Sequence, residues 1–309
     1  PQGEVRARHA GATPRADGRT AILAYCVELL QAAREAHAAG GGPPPGALGV
    51  TAPGPVDPRT GAFVDPPNMG PEFFGFPLAP TLGEAVGLPW AMGKDTNVAI
   101  LGERDFGAGE GSGDLVYLTI STGVGGAALS GGRPVVGPDL AAGELGHMTV
   151  DMDGPRCGCG GVGHLEALAS GTGIATISRS VLETSAEAPQ LRAIAAEIAP
   201  APLTAVHVSD AADLGDPAAS LILERARRAV AVAVVSIVNV FGPDVVILGG
   251  GITLAWGERL IAPARVAVAE SAFRIQADRA KIVQAGLGDD VGLIGTVPLV
   301  ASALPELDL

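Results

Sequence analysis

The sequence predicts an α/β protein. Strand-length apolar runs alternate with helix-length amphipathic segments along its 309 residues, and several of these runs lead into turns that contain glycine. The two clearest are residues 115–120 (LVYLTI), which lead into STG at 121–123, and residues 244–248 (DVVIL), which lead into GGG at 249–251. Such continuous apolar runs are typical of buried parallel strands. The length of the chain allows two domains.

In the first part of the chain, each element is predicted from the period of its apolar residues and from the turn residues that follow it. Residues 4–10 alternate before Gly11, which predicts a strand. Residues 20–39 carry apolar side chains at helical spacing and end in three glycines, which predicts a helix. The other predicted elements of this part are a strand at 47–51, a helix at 78–86, a strand at 90–93 and a helix at 98–106.

In the second part, a glycine-rich link at 107–113 is expected to be a hinge or a hairpin turn. Helices are expected to dominate residues 167–240, and the apolar run at 229–241 is too short to span a bilayer, so it fits a buried core helix. The strands and the last helix of this part are predicted at 115–120, 127–129, 244–248, 280–284 and 292–303.

The net charge and the cysteine content indicate which binding partners and which cellular compartment to expect. The net charge is −13 and Lys and Arg do not cluster, which argues against nucleic acid as the main partner. ATP is not excluded, because nucleotide sites use backbone N–H groups and a bound cation. Three cysteines, two of them close to histidines, indicate a reducing compartment rather than a disulfide framework. We therefore expect a cytoplasmic protein that binds neither nucleic acid nor a membrane.

Four potential zinc ligands lie within eighteen residues: His147, Cys157, Cys159 and His164. The glycines between them favour a tight loop around a metal, although a C-x-C pair by itself is a weak signal. If all four residues bind zinc, no tetrahedral position stays open for water. The sequence therefore predicts a structural rather than a catalytic Cys2His2 zinc site.

Two glycine turns follow predicted strands. The turn at 121–126 has the form of a phosphate-binding loop, in which backbone N–H groups approach an anion and Thr122 adds a hydroxyl donor. An ordinary glycine hairpin explains it equally well, since the segment is neither a Walker A loop nor a G-x-G-x-x-G fingerprint. The turn at 249–251 lies where open α/β sheets bind ligands, but close helix–strand packing explains it as well.

Three carboxylates complete the set of candidate groups. Asp95 follows an apolar strand and precedes a helix, so taken alone it reads best as a helix cap. With the other groups it can accept the proton of a hydroxyl during phosphoryl transfer. Glu144 and Glu166 flank the zinc ligands and can accept hydrogen bonds from sugar hydroxyls, and His147 can add its second ring nitrogen.

These motifs resemble those of the ROK family (repressors, open reading frames and sugar kinases), most closely its bacterial glucokinase-like members. The resemblance covers nearly the whole chain. The motifs that carry it are Glu144-x-Gly146-His147 with Cys157-x-Cys159-Gly160-x-x-Gly163-His164-Leu165-Glu166, then Lys94-Asp95-Thr96-Asn97, Thr122-Gly123-Val124-Gly125-Gly126, Leu248-Gly249-Gly250-Gly251 and Gly292-Leu293-Ile294-Gly295.

The resemblance implies an actin-like (RNase H-like) ATPase fold of two domains with a cleft between them. We predict a small domain at 1–96 plus 290–309 and a large domain at 97–289 that includes the zinc-binding segment 144–166. The resemblance also implies a homodimer or a homotetramer.

For the site, the resemblance implies that Asp95 is the general base on the 6-hydroxyl of a hexose, with Mg²⁺-ATP as the phosphoryl donor. The implied sugar-binding residues are Gly54, Asn68, Lys94, Asp95, Glu144, His147 and Glu166. The implied nucleotide-binding residues are Thr122, Gly123, Gly125, Gly249 and Gly250.

The chain departs from the family pattern at three places. His164 replaces the last cysteine of the zinc motif, and imidazole is an adequate zinc ligand. Lys94 replaces an Asn that touches the sugar, which puts the substrate in doubt and leaves open a weakened base at Asp95. The N-terminal Asp-x-Gly-Gly-Thr motif and its hairpin have no counterpart, and we expect them upstream of Pro1 in the gene.

The residues and the resemblance together predict an ATP-dependent hexose kinase, with glucose as the expected sugar. Two alternatives stay open: a sugar-sensing transcriptional regulator of the same family, and a sugar-binding protein that has lost catalysis. The first would need a winged-helix module before Pro1, and the second is suggested by Lys94. One sequence does not rank glucose against mannose, fructose, allose or the N-acetylated hexosamines.

Overall fold

The computed structural model describes residues 3–66, 69–185 and 187–307. The chain forms two compact units. The first comprises Pro1–Gly111, Val136–Ala142 and Asp289–Leu309, and the second comprises Ser112–Val135 and Gly143–Gly288.

The elements up to residue 106, in chain order, are α1 (Gly18–Ala39), β1 (Leu48–Ala52), β2 (Val56–Asp57), β3 (Ala62–Phe63), α2 (Leu78–Val86), β4 (Trp90–Lys94) and α3 (Asp95–Phe106). Those that follow are β5 (Leu115–Ile120), β6 (Val124–Ser130), β7 (Arg133–Pro134), α4 (Leu165–Ala169), α5 (Gly171–Thr184), α6 (Pro189–Ile198), α7 (Ala205–Asp213), α8 (Pro217–Phe241), β8 (Val245–Gly249), α9 (Gly251–Trp256), α10 (Glu258–Ser271), α11 (Arg274–Ala277), β9 (Lys281–Gln284), α12 (Val291–Ile294) and α13 (Thr296–Ala303). Their alternation confirms the predicted α/β class.

The first unit is built on the parallel pair β1 and β4. Their register places Leu48 opposite Trp90 and Ala52 opposite Lys94, so the two strands end side by side. Apolar residues of β1, β4 and α2 form the core, and α1 adds half-buried side chains to it. Among these is Cys26, where partial burial raises the pKa of the thiol. Parallel strands that end together bring the residues just after them to one edge, as the site requires.

The second unit is built on a five-stranded sheet in the order β7-β6-β5-β8-β9. Strand β5 runs antiparallel to β6 and parallel to β8, and β8 runs parallel to β9. Strand β8 is fully buried, and β5 is buried except at Thr119, which explains their continuous apolar sequence. The apolar run at 229–241 lies inside α8, as predicted for a buried helix. Among the described helices, none combines the length and apolarity that a membrane-spanning segment needs.

The carboxylate of Asp216 joins two helices of this unit. It is fully buried and caps α8 by accepting a hydrogen bond of 2.9 Å from the N–H of Ala219. Its other oxygen accepts from the N–H groups of Gln190 and Leu191, at 2.9 and 3.0 Å, in the first turn of α6. Three otherwise unpaired helix donors are therefore satisfied by one side chain.

Most predicted elements are found within a few residues of their predicted limits, and three predictions need correction. Residues 4–10 form no strand: no strand of the described residues pairs with them, and alternation without an interstrand ladder does not make a strand. The last helix is divided at Gly295 into α12 and α13. The helix predicted at 98–106 begins at Asp95.

The domain limits predicted from the sequence stay a prediction. The first unit, which is defined by contacts within the chain, extends to Gly111 and includes Val136–Ala142. The reason is that α3 packs against α12 and α13, which belong to the same unit. Residues 144–166, the predicted zinc-binding segment, lie in the second unit.

Candidate active site

In the first unit, the candidate residues gather where β1 and β4 end. Asp95 is the first residue of α3, directly after β4, and its side chain is exposed. Its Oδ1 accepts a hydrogen bond of 2.7 Å from the N–H of Thr96. Because Ala52 pairs with Lys94, the turn that contains Gly54 leaves the sheet at the same edge. A carboxylate held at its own helix start and open to solvent can receive a proton from a ligand.

Lys94 is only 7% exposed, which is unusual for a lysine. Its aliphatic stem lies against the backbone of Gly54: a Cβ added to Gly54 would come within 2.9 Å of both Cγ and Cδ of Lys94. The glycine is therefore what admits the lysine stem at this edge of the sheet. Asn68, the other residue predicted for this pocket, lies outside the described residues.

In the second unit, both glycine turns lie at one edge of the sheet, because β5 and β8 are parallel neighbours. The turn after β5 is a hairpin of Ser121, Thr122 and Gly123. The predicted turn was longer: Gly125 is part of β6 and pairs with Thr119. At the end of β8, Gly249 is the last strand residue and Gly250 leads into α9.

The hairpin is held by the start of α5. The carbonyl of Ser121 accepts from the N–H of Gly171 at 2.8 Å. The carbonyl of Thr122 accepts from both the N–H and the hydroxyl of Thr172, at 3.1 and 2.9 Å. The side chain of Thr122 is exposed. A hairpin whose carbonyls are bound to a helix has a defined shape, and its outer face is open to a ligand.

The four predicted zinc ligands come together. The donor atoms of His147, Cys157, Cys159 and His164 all lie within 4.8 Å of one another. Cys157 Sγ is 3.8 Å from His147 Nδ1, and Cys159 Sγ is 3.2 Å from His164 Nδ1. Ligands at 2.0–2.3 Å from a tetrahedral zinc are about 3.3–3.8 Å apart, so the donor types and the spacing of these two pairs are compatible with this metal.

The loop that carries these ligands folds through its own backbone. The N–H of Cys157 donates to the carbonyl of Gly161 at 2.8 Å. At Gly163 φ is +66°, and a Cβ there would overlap the carbonyl of Asp151, so only glycine fits. The loop thus brings Cys157, Cys159 and His164 to one point. Burial, with smaller contributions from neighbouring acidic groups, raises the pKa of the Cys157 thiol to about 11.

Glu166 and Glu144 lie at the two ends of this metal-binding region. Glu166 is in the first turn of α4, where its Oε2 accepts from the N–H of Val124 at 3.1 Å and the Cys157 thiol donates to its Oε1 at 3.5 Å. Glu144 is exposed and directly precedes the short 3₁₀ turn Leu145–His147, which packs against β6. Glu166 therefore contacts the metal ligand Cys157, whereas Glu144 is linked to His147 through the backbone, where its carbonyl accepts from the N–H of His147 at 3.0 Å.

Sequence reasoning missed the residues that hold the candidate groups in place. The N–H of Val124, the hydroxyl of Thr172 and the stem-to-backbone contact of Lys94 with Gly54 join segments that are distant in sequence. No motif marks such pairs. The only available signal was the glycine at positions 54 and 123, where a side chain would not fit.

The chain thus has two α/β units, an exposed carboxylate after a parallel strand, two glycine turns and a four-ligand cluster. It belongs to the ROK family, whose family model matches residues 1–303. A glucokinase of Thermotoga maritima is 34% identical over 253 residues, which make up 82% of this chain and 78% of that protein.

Two solved structures extend the likeness. The ROK hexokinase of Thermus thermophilus has a TM-score of 0.78 at 30% identity, over 98% of this chain and 93% of that one. The ROK glucokinase of Streptomyces griseus, in complex with glucose and AMPPNP, has a TM-score of 0.76 at 29% identity, over 96% and 92% of the two chains. The predicted family and the actin-like ATPase fold are confirmed.

Proposed function

We propose that this chain is an ATP-dependent sugar kinase that transfers the γ-phosphate to the 6-hydroxyl of glucose. The observation that carries the proposal is the position of Asp95, exposed at the end of a parallel strand in a chain whose similarity to glucokinases extends over most of its length. An exposed carboxylate at that position can accept the proton of a sugar hydroxyl as the phosphoryl group arrives.

The residues proposed for sugar binding are those that the family resemblance implies. They are Gly54, Asn68, Lys94, Asp95, Glu144, His147 and Glu166. Carboxylates are acceptor-only groups that suit sugar hydroxyls. His147 faces Cys157 with its Nδ1, so a metal on that nitrogen leaves Nε2 to hydrogen-bond a sugar.

The nucleotide is bound at the edge of the second sheet. Thr122 and Gly123 in the hairpin, with Gly125 next to it in β6, take the phosphates, and Gly249 and Gly250 take the adenosine side. The support is geometric, because both turns follow neighbouring parallel strands, where α/β sheets bind ligands. Mg²⁺ accompanies ATP and neutralises charge on the transferred phosphate.

The Cys2His2 cluster binds a structural zinc ion. Its four donors leave no position for water or substrate, so the metal holds the loop that leads into α4 and Glu166 rather than entering the reaction. Reduced thiols at Cys157 and Cys159 suit a cytoplasmic location, and a homodimer or homotetramer stays a prediction from the family resemblance.

The test is ADP release by the gene-encoded protein with Mg²⁺-ATP and a panel of hexoses: glucose, mannose, fructose, allose and the N-acetylated hexosamines. Turnover with glucose, and a sugar 6-phosphate as product, would support the proposal. Turnover with another sugar but not with glucose would support the kinase activity and replace glucose as the proposed substrate. A folded, zinc-loaded protein that binds sugar but releases no ADP with any of them would overturn the proposal in favour of a sugar-binding protein without catalysis.

A further inference from the structure

The carboxylate of Glu166 lies between two parts of the second unit. One oxygen, Oε2, accepts from the N–H of Val124, the first residue of β6 after the glycine hairpin. The other, Oε1, accepts from the Cys157 thiol in the metal-binding loop. A single side chain therefore contacts both the hairpin and the metal loop.

The contact with the hairpin is close. A Cβ added to Gly123 would come within 2.7 Å of Glu166 Oε2, so the carboxylate lies directly against the turn. The carbonyls on the other side of the turn are held by the start of α5. The N–H of Val124 is therefore bound by Glu166, whose position depends on the metal loop. The carbonyls of Ser121 and Thr122 are bound by the start of α5.

The backbone on both sides of Glu166 is held in place, which limits where its carboxylate can lie. Leu165 and Ala167, its neighbours in α4, are buried, and the N–H of Leu165 donates to the carbonyl of Met148 at 2.9 Å. Just before them, His164 is both a candidate metal ligand and a bridge partner of Thr149. Zinc would bind Cys157 as the thiolate, which has no proton to donate to Oε1, so the metal would constrain Glu166 through His164 and the backbone that leads from it into α4.

We propose that Glu166 is a positioning residue that links the metal site to the glycine hairpin, so that metal occupancy sets the affinity of the hairpin for nucleotide phosphates. The proposal rests on the proposed function in taking the hairpin as the phosphate site. Linkage is reciprocal: the factor by which metal strengthens nucleotide binding is also the factor by which nucleotide strengthens metal binding.

The first experiment measures the Kd of Mg²⁺-ADP by calorimetry, without sugar, for zinc-loaded and chelator-stripped protein. We expect stripping to weaken ADP binding about 5–50-fold, within the usual range of coupling between two sites. Zinc affinity, measured by competition with a chelator, should rise by the same factor in saturating Mg²⁺-ADP. Equal ADP affinity in both states, in a stripped protein that stays folded by circular dichroism, would overturn the linkage.

Variants separate Glu166 from a general effect of the metal. Glu166→Ala should bind ADP weakly in both metal states, with little further loss on stripping. Glu166→Gln keeps one carbonyl oxygen for the N–H of Val124 and should recover most of the linkage. Glu197→Ala removes an exposed glutamate of α6, outside the metal loop and the hairpin, and should keep the full linkage. If removal of zinc weakens ADP binding by Glu166→Ala as much as it weakens binding by the wild type, the proposal is contradicted.

Hydrogen exchange tests the link even if the proposed function fails. In zinc-loaded Glu166→Ala, with one metal per chain verified by elemental analysis, the amides of the hairpin peptide should exchange at least about tenfold faster than in wild type. Glu166→Asp serves in the same way if the alanine variant does not fold. Unchanged exchange would overturn the role of Glu166, whereas absence of ADP binding by the loaded wild type would overturn only the assignment of the hairpin.

Discussion

The stem of Lys94 lies against the backbone of Gly54 at the edge where β1 and β4 end, next to Asp95. A Cβ added to Gly54 would be 2.9 Å from Cγ and Cδ of Lys94, and the lysine is almost fully buried. Two positions 40 residues apart are thus matched in size beside the proposed base. This pairing is specific to a chain that carries lysine where the family pattern has asparagine.

Gly54→Ala should therefore raise the sugar KM about tenfold, the equivalent of about 1.4 kcal/mol of overpacking. The added methyl group must displace the buried lysine stem. Lys94→Asn should remove most of this effect in the double variant, because the shorter side chain leaves room for the methyl group. Steady-state kinetics with saturating ATP measure the sugar KM of the wild type, the two single variants and the double variant. Additive effects of the two substitutions would show that the contact does not set the sugar site.

Asp95→Asn should lower kcat by about 10²–10⁴-fold, the usual contribution of a general base, while sugar affinity changes by only a few-fold. The amide keeps the size of the side chain but cannot take up the hydroxyl proton. ADP release and calorimetric sugar binding measure the two quantities. Asp105→Asn, the same substitution at the other end of α3, is the control and should leave both near wild type. Undiminished turnover in Asp95→Asn would rule this residue out as the base.

Zinc removal should destabilise the protein. We expect one zinc per chain, and chelation should lower the Tm by about 5–10 °C, since a bound metal stabilises only the folded state. Cys157→Ser should lose the metal and show the same lowered Tm without chelator. Cys26→Ser is the matched control, because Cys26 lies in α1 and should keep a full equivalent of zinc. Elemental analysis and thermal unfolding check both points, and a Cys157→Ser protein that retains zinc would contradict the ligand set.

Asp216→Ala should lower the free energy of unfolding by about 2–4 kcal/mol, because it leaves buried helix N–H groups of α6 and α8 without an acceptor. Asp213→Ala removes a nearby aspartate that pairs with Arg259 in solvent, and it should change the stability by less than about 0.5 kcal/mol. Urea unfolding of both variants makes the comparison. Equal effects would mean that Asp216 does not cap the two helices.

Much of the fold was predictable because its signals are local. The apolar run at 115–120 became a buried strand with the same limits, and 78–86 became a helix with the same limits. The spacing of Cys157, Cys159 and His164 predicted a cluster because a short glycine-rich loop can bring nearby ligands together. The same reasoning gave a wrong prediction for residues 4–10, because a strand also needs a partner strand and alternation alone does not supply one.

By itself, then, the sequence determined the α/β class and the family. It also singled out the four candidate ligands of the cluster and the candidate base Asp95, because all of these follow from residue types and short spacings. Only the tertiary structure decided that the carboxylate of Glu166 meets the N–H of Val124, that Gly54 admits the stem of Lys94, and that α3 belongs to the first unit. These partners are 40 or more residues apart in the first two cases. Contacts at such separations depend on strand register and side-chain packing, which a linear pattern does not specify.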